Sequence, residues 1–118
     1  MTGELSGRNV LIVDDEPLIA MDLKETLEGA GANAVTAGSC AEALGLIAGN
    51  AFDAAVLDVH LHDDASYVIA DELGRLGVPF VFLSGYFTIR DGYQATPFLA
   101  KPFSKDDAVA VVAKLVGG

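Results

Sequence analysis

A chain of 118 residues, 52% of them apolar, is long enough for one packed domain and short for two. Its 7 basic and 17 acidic side chains give a formal net charge of −10, so nucleic acids and anionic lipids repel its surface. The single cysteine excludes an internal disulfide framework, and no apolar run reaches the roughly 18 residues of a membrane helix. We expect one cytoplasmic domain over residues 1–118, with no output domain and no DNA or membrane partner.

Apolar and amphipathic segments alternate along the chain. The apolar segments, typical of strands buried on both faces of a sheet, are Asn9–Val13, Ala34–Ala37, Ala54–Leu57, Pro79–Leu83 and Phe98–Ala100. The amphipathic segments, which predict helices, are Pro17–Glu28, Ser39–Ala48, Ala65–Leu76 and Ser104–Val116. This alternation predicts βα units, a parallel sheet and right-handed crossovers.

Local signals refine this pattern. Ser39 and Glu42 form the Ser-x-x-Glu pattern of a capping box at the start of the second helix. The third helix is expected to face the sheet with Ala65, Ile69, Leu73 and Leu76. Residues 84–97 contain two Gly, one Pro and weak helical periodicity, which predicts a short or irregular fourth helix. The fold class is therefore α/β, a flavodoxin-like three-layer sandwich with five parallel strands in the order 2-1-3-4-5.

Polar side chains follow four of the predicted strands at their carboxyl ends. Asp14 and Asp15 follow the first strand, Asp58 the third, Ser84 the fourth and Lys101 the fifth. These ends are neighbours in the predicted sheet, so the side chains converge. Carboxylates ~4 Å apart repel by ~4 kcal/mol at an effective dielectric constant of 20 and need a counter-charge. Mg²⁺, or alternatively Mn²⁺, suits oxygen ligands of this kind.

A carboxylate beside such a cation is able to act as a nucleophile toward phosphorus, with Lys101 and Ser84 pairing with phosphoryl oxygens. Each residue also has an ordinary structural interpretation. Asp15 or Glu16 would cap the first helix, Asp58 and Ser84 would be turn residues, and Lys101 would enter the last helix. The combination of all four strand ends favours the functional interpretation.

Four motifs carry a family resemblance: LIVDDE (Leu11–Glu16), AVLDVHL (Ala55–Leu61), FVFLSGY (Phe80–Tyr86) and LAKPF (Leu99–Phe103). In this order, and over nearly the whole chain, they resemble a bacterial two-component response-regulator receiver domain of the CheY-like kind. The strings PFVFLSGY and PFLAKPF also resemble the alphaproteobacterial receiver subfamily named for its Phe-Ala-Thr-Gly-Tyr motif ("FAT GUY"), many of whose members are stand-alone receivers.

The resemblance implies a role for each pocket residue. Asp58 would accept the phosphoryl group and would also be a magnesium ligand. Asp15 would bind magnesium directly, Asp14 mainly through water, and the backbone carbonyl of His60 would be a further ligand. Lys101 would pair with the phosphate.

The resemblance also implies a switch. Ser84 would be the switch hydroxyl, and Tyr86 or Phe98 would be the aromatic side chain that moves with it. We favour Tyr86 because it lies two residues after Ser84.

The loop after Asp58 departs from the family pattern. The family places Pro four residues and Gly eight residues after the acceptor, where this chain has His62 and Ser66. His60, His62 and Asp64 are similar to part of a dinuclear-metal hydrolase motif, but the chain has only two histidines. The role of the loop His60-Leu61-His62-Asp63-Asp64 stays open.

Three functions are compatible with the sequence. The favoured one is a non-enzymatic switch that receives phosphoryl on Asp58 from a sensor histidine kinase or a histidine phosphotransfer protein. It would then act by phospho-dependent protein binding or by phosphorelay, as a monomer or a phospho-dependent dimer. A haloacid-dehalogenase-like phosphatase would need a second Asp where this chain has His60. The remaining alternative is a receiver-fold adaptor that signals without phosphorylation.

Overall fold

A computed structural model describes residues 3–58, 65–84, 98–100 and 103–117. The strands are β1 (Asn9–Val13), β2 (Asn33–Ala37), β3 (Ala54–Asp58), β4 (Phe80–Ser84) and β5 (Phe98–Ala100). The helices within these ranges are α1 (Pro17–Gly29), α2 (Cys40–Gly49), α3 (Ala65–Leu76) and α4 (Lys105–Leu115). The sheet is parallel in the order β2-β1-β3-β4-β5, which confirms the predicted fold class. The predicted short or irregular helix between β4 and β5 lies outside the described residues.

The strands match their predicted bounds to within one residue. The consequential difference is at the carboxyl ends, where Asp58 and Ser84 are the last residues of β3 and β4 rather than the residues that follow them. Asp58 pairs with Leu83, and Ser84 pairs with Ala100. Strand pairing uses the main chain, so a polar side chain does not prevent these residues from extending the ladder. Both residues are therefore fixed by the sheet.

Two apolar cores hold the sheet between its helices. Val10 and Ile12 of β1 lie in the core under α1 and α4, while Leu11 and Val13 lie in the opposite core under α2 and α3. All four are fully buried, as predicted for a strand covered on both faces. Each such side chain contributes about 1.5–3 kcal/mol by leaving water. These cores fix the plane of the sheet and the position of its edges.

One predicted core position is wrong. Ile69 and Leu73 of α3 are fully buried, but Leu76 is 46% exposed. Leu76 is the last residue of α3 and lines a surface cleft with Phe52 and Val78 instead of entering the core. The helical pattern predicts which side of α3 faces the core, but it does not show how far along the helix the core extends.

The segment before β1 contributes a core residue that the sequence pattern did not predict. Leu5 is fully buried in the core under α1. Its N–H donates to the carbonyl of Ala30 at 2.9 Å, and the N–H of Gly7 donates to the carbonyl of Gly31 at 3.2 Å. Gly31 has φ +100°, and a Cβ there would lie 2.8 Å from the Cα of Ser6. Glycine at this turn therefore lets the N-terminal segment close the amino edge of the sheet.

Helix capping agrees with prediction in part. The Ser39 hydroxyl accepts the Glu42 N–H at 3.2 Å, but the Glu42 carboxylate accepts the N–H of Gly38 at 2.6 Å rather than that of Ser39. The complete capping box is at α4, between Ser104 and Asp107. No helix in the described ranges combines the length and the apolar character that crossing a bilayer requires.

Candidate functional site

Three carboxylates meet at the carboxyl edge of the sheet. Asp14 and Asp15 follow β1, and Asp58 ends β3, which is the neighbour of β1 through the pairing of Val13 with Leu57. One carboxylate oxygen from each of the three acids lies within 4.8 Å of the other two. The predicted convergence of these three residues is therefore present in the structure.

The backbone fixes the orientation of Asp14. Its N–H donates to the carbonyl of Ala37 at 3.0 Å, and its Oδ1 accepts the N–H of Glu16 at 2.8 Å. This side-chain turn ends the strand and leads the chain into α1 at Pro17, whose fixed φ suits the first helical position. Asp14 is only 2% exposed, so its carboxylate is held in place before any ligand binds.

The alternative reading of these acids as helix caps receives no support. Glu16 occupies the N-cap of α1, where the described structure shows no side-chain capping hydrogen bond. By contrast, Ser39 and Ser104 cap α2 and α4 with their hydroxyls. Glu16 therefore does not cap α1 with its own side chain.

The electrostatics of the cluster favour a cation. Asp58 is 1% exposed and Asp14 is 2% exposed, so water screens their mutual repulsion poorly. One carboxylate oxygen from each acid lies within 4.8 Å of the other two, which is close enough for one small divalent cation to bind the acids directly or through water. The three residues thus fit Mg²⁺, with Mn²⁺ as an alternative of similar ligand preference.

The other predicted site residues are described only in part. The main chain places Ser84 at the end of β4, beside β5, where Phe98 is the first residue. The side chains of Ser84 and Phe98 lie outside the described part of the structure. His60, Tyr86 and Lys101 also lie outside it, so their roles stay predictions. His62 and Asp64 of the second candidate metal motif lie outside it as well.

Two further features of the structure were not predicted. A surface cleft of about 350 Å³ borders Asp14 and Asp15, with Met21 and Lys24 of α1 on one side and Thr36 of β2 on the other. Ser66, at the start of α3, is fully buried. The sequence signalled Ser66 only as a departure from the family pattern, and it gave no indication of the cleft.

This sheet order, with an acidic cluster at the ends of its first and third strands, defines a class of protein. Residues 10–113 match the response regulator receiver domain family, and the chain belongs to that family. Receiver domains act in two-component signal transduction with histidine kinases or phosphotransfer proteins, and they generally bind Mg²⁺ at an acidic pocket. The family prediction is thereby confirmed.

Particular relatives are similar over most of the chain. The phyllosphere-induced regulator PhyR of Methylorubrum extorquens is 33% identical over 112 residues, covering 89% of this chain and 42% of PhyR. The cell cycle response regulator CtrA of Brucella ovis is 28% identical over 114 residues, covering 91% of this chain and 49% of CtrA. The chain thus spans less than half the length of these relatives.

A solved structure is also similar to this chain over most of its length. The BeF3-activated conformation of SdrG from Pseudomonas melonis Fr1 is 37% identical, with a TM-score of 0.79, and the match covers 92% of this chain and 95% of SdrG. The narrower "FAT GUY" subfamily stays a prediction, because the matching family model is that of receiver domains in general.

Proposed function

We propose that this receiver domain accepts a phosphoryl group on Asp58 from a histidine kinase or a histidine phosphotransfer protein. The observation that supports this most directly is the cluster of Asp14, Asp15 and Asp58, whose oxygens lie within 4.8 Å of one another at the carboxyl edge of a receiver fold. Asp58 is the natural acceptor because it ends the central strand β3, while Asp14 and Asp15 flank it from β1.

In the proposed reaction, an oxygen of Asp58 forms a bond to phosphorus while the phosphorus–nitrogen bond of a phosphohistidine breaks. The imidazole leaves and takes a proton from solvent. Asp14 and Asp15 would hold Mg²⁺, with the His60 carbonyl as a further ligand. The cation supplies charge neutralisation for the acids and the incoming phosphoryl oxygens. Lys101 and Ser84 would pair with the remaining phosphoryl oxygens.

The signal then follows from the added charge of about −1.5 to −2 at Asp58. Ser84 ends β4 beside β5, so a movement toward the phosphoryl group would be transmitted to that edge of the sheet. Tyr86 or Phe98 would move with it. Phosphorylation thereby shifts a two-state equilibrium, and the output is protein binding or onward relay rather than catalysis on a separate substrate.

Intact mass spectrometry tests the proposal. The protein is incubated with Mg²⁺ and acetyl phosphate, and we expect one added phosphoryl group on the wild type and none on Asp58→Asn. Asp53→Asn is the matched control, because Asp53 precedes the same strand at the opposite edge of the sheet. An adduct that persists in Asp58→Asn would contradict the assignment of the acceptor. If the wild type gains no phosphoryl group and does not respond to beryllofluoride, the phosphorylation-independent adaptor would be the better description.

A further inference from the structure

Ser66, the second residue of α3, has a hydroxyl that the proposed reaction does not use. The residue is fully buried, and its Oγ has no hydrogen-bond partner in the part of the chain that the structure describes. Nearly all buried hydroxyls are paired, because removing a hydroxyl from water without a new partner is unfavourable. This conformation therefore carries an unfavourable contribution at Ser66.

The position of Ser66 in the helix explains why the local backbone does not satisfy it. A Ser within a helix commonly donates to the carbonyl three or four residues earlier. For Ser66 those positions precede the start of α3 at Ala65. A partner has to come from outside the helix.

The first turn of α3 packs on β4, the neighbour of the strand that carries the acceptor. The ring of Tyr67, next to Ser66, packs with its centroid 5.5 Å from that of Phe82. Phe82 pairs with Leu57, and Leu57 immediately precedes Asp58. Phe82 and Leu57 therefore connect the first turn of α3 to Asp58. A movement of the main chain at Asp58 would be passed to this turn through them.

We propose that Ser66 is a positioning residue whose hydroxyl gains a hydrogen-bond acceptor when Asp58 is phosphorylated. This inference rests on the proposed function. A group that is unsatisfied in the unphosphorylated state and satisfied in the phosphorylated state shifts the equilibrium toward the latter. The hydroxyl of Ser66 thus lowers the stability of the unphosphorylated state and favours the phosphorylated state.

The experiment compares wild type with Ser66→Ala, using beryllofluoride and Mg²⁺ as the probe of the phosphorylated state. Without ligand, we expect Ser66→Ala to melt several degrees higher than wild type, because the unpaired hydroxyl is gone. Its affinity for beryllofluoride should fall roughly threefold to tenfold, the range for one ordinary hydrogen bond. Ser66→Cys, which keeps the size and a weak donor, should fall between the two.

Ala70→Gly is the control, because Ala70 lies one turn along α3 and is also buried. It should lower the Tm with and without beryllofluoride alike and leave the affinity unchanged. A lower Tm for ligand-free Ser66→Ala would overturn the inference, since the hydroxyl would then be paired in the resting state. Unchanged affinity in Ser66→Ala would overturn it as well, while leaving the proposed function intact. A wild type that does not bind beryllofluoride would overturn both.

Discussion

The two ends of β3 carry acidic residues in opposite situations. At the amino end, the Asp53 carboxylate accepts the N–H of Asn9 at 2.8 Å, and the Asp53 N–H donates to the Asn9 carbonyl, also at 2.8 Å. At the carboxyl end, Asp58 is buried with two other carboxylates nearby. The first acid joins β3 to β1 and stabilises the fold. The second lies in a cluster of carboxylates whose mutual repulsion a bound cation would relieve, as is usual where a fold gives up stability for a binding site.

The contrast extends to the residues around each edge. The amino edge is closed by the N-terminal segment, with Leu5 in the core and two main-chain hydrogen bonds to the turn after α1. The carboxyl edge holds the acidic cluster and the cleft beside it. We therefore expect substitutions at the amino edge to change stability alone, and substitutions at the carboxyl edge to change stability and binding in opposite directions.

The largest effect is expected for Leu5→Ala. Removing this fully buried side chain should lower the free energy of unfolding by about 2–5 kcal/mol, because it leaves a cavity under α1. Urea denaturation measures the loss, and Mg²⁺ titration should show an unchanged affinity. Leu18→Ala is the control, since Leu18 is 83% exposed and its loss should have little effect. A parallel loss of Mg²⁺ affinity in Leu5→Ala would show that the two edges are not independent.

Asp58→Asn should raise the stability of the ligand-free protein, in contrast to Leu5→Ala. Without divalent cations, loss of one of three clustered charges should raise the free energy of unfolding by about 1–3 kcal/mol. The same variant should lose most of the stabilisation that the wild type gains from Mg²⁺. Thermal denaturation with Mg²⁺ and with a chelator measures both effects. If Asp58→Asn is less stable than wild type in chelator, Asp58 is a structural residue like Asp53.

Asp53→Ala should lower the free energy of unfolding by about 1–2 kcal/mol, less than Leu5→Ala, because it removes one hydrogen bond to a charged acceptor. The loss should be equal with Mg²⁺ and with chelator, which distinguishes it from the effect of Asp58→Asn. Asn9→Ala is the matched control: it keeps the main-chain N–H that donates to Asp53 and removes only the long side-chain hydrogen bonds of Asn9, to the carbonyl of Ala51 at 3.5 Å and from Asn33 at 3.3 Å. A loss that appears only with Mg²⁺ would mean that the amino edge also affects the metal site.

The sequence predicted the acidic cluster because two simple rules coincide. Apolar runs mark where strands end, and parallel strands end at the same edge, so Asp14 and Asp58 had to be neighbours once the order 2-1-3-4-5 was inferred. Leu5 lacked such a signal, because one apolar residue in a Gly- and Ser-containing segment shows no period. The burial of Leu5 depends on the turn at Ala30 and Gly31, a tertiary contact that a local pattern does not contain.

Side-chain pairing was harder to predict than position. The capping box at Ser104 has Asp107 in the place of the usual Glu, so its pattern did not stand out. The buried hydroxyl of Ser66 depends on what surrounds α3, which is a property of packing. Residue spacing predicted where main-chain elements lie, and it left the partners of individual polar atoms undetermined.

The smallest effect on stability is expected for an acid on the outer face of α3, Glu72, in contrast to the acids of the buried cluster. Arg75 binds Glu72 through two hydrogen bonds of 2.7 and 2.9 Å, and these lower the pKa of Glu72 below its ordinary value of 4.5. A lowered pKa means that the pair stabilises the fold above about pH 4.5 and that this contribution disappears as the pH falls through the lowered value. Glu72→Gln should therefore reduce the Tm slightly at pH 7, and this reduction should shrink as the pH falls through the lowered pKa of Glu72. The reduction should be near the limit of measurement, since water screens an exposed pair. If Glu72→Gln lowered the Tm as much as Asp53→Ala does, the exposed ion pair of Glu72 and Arg75 would also contribute substantially to the stability of the fold.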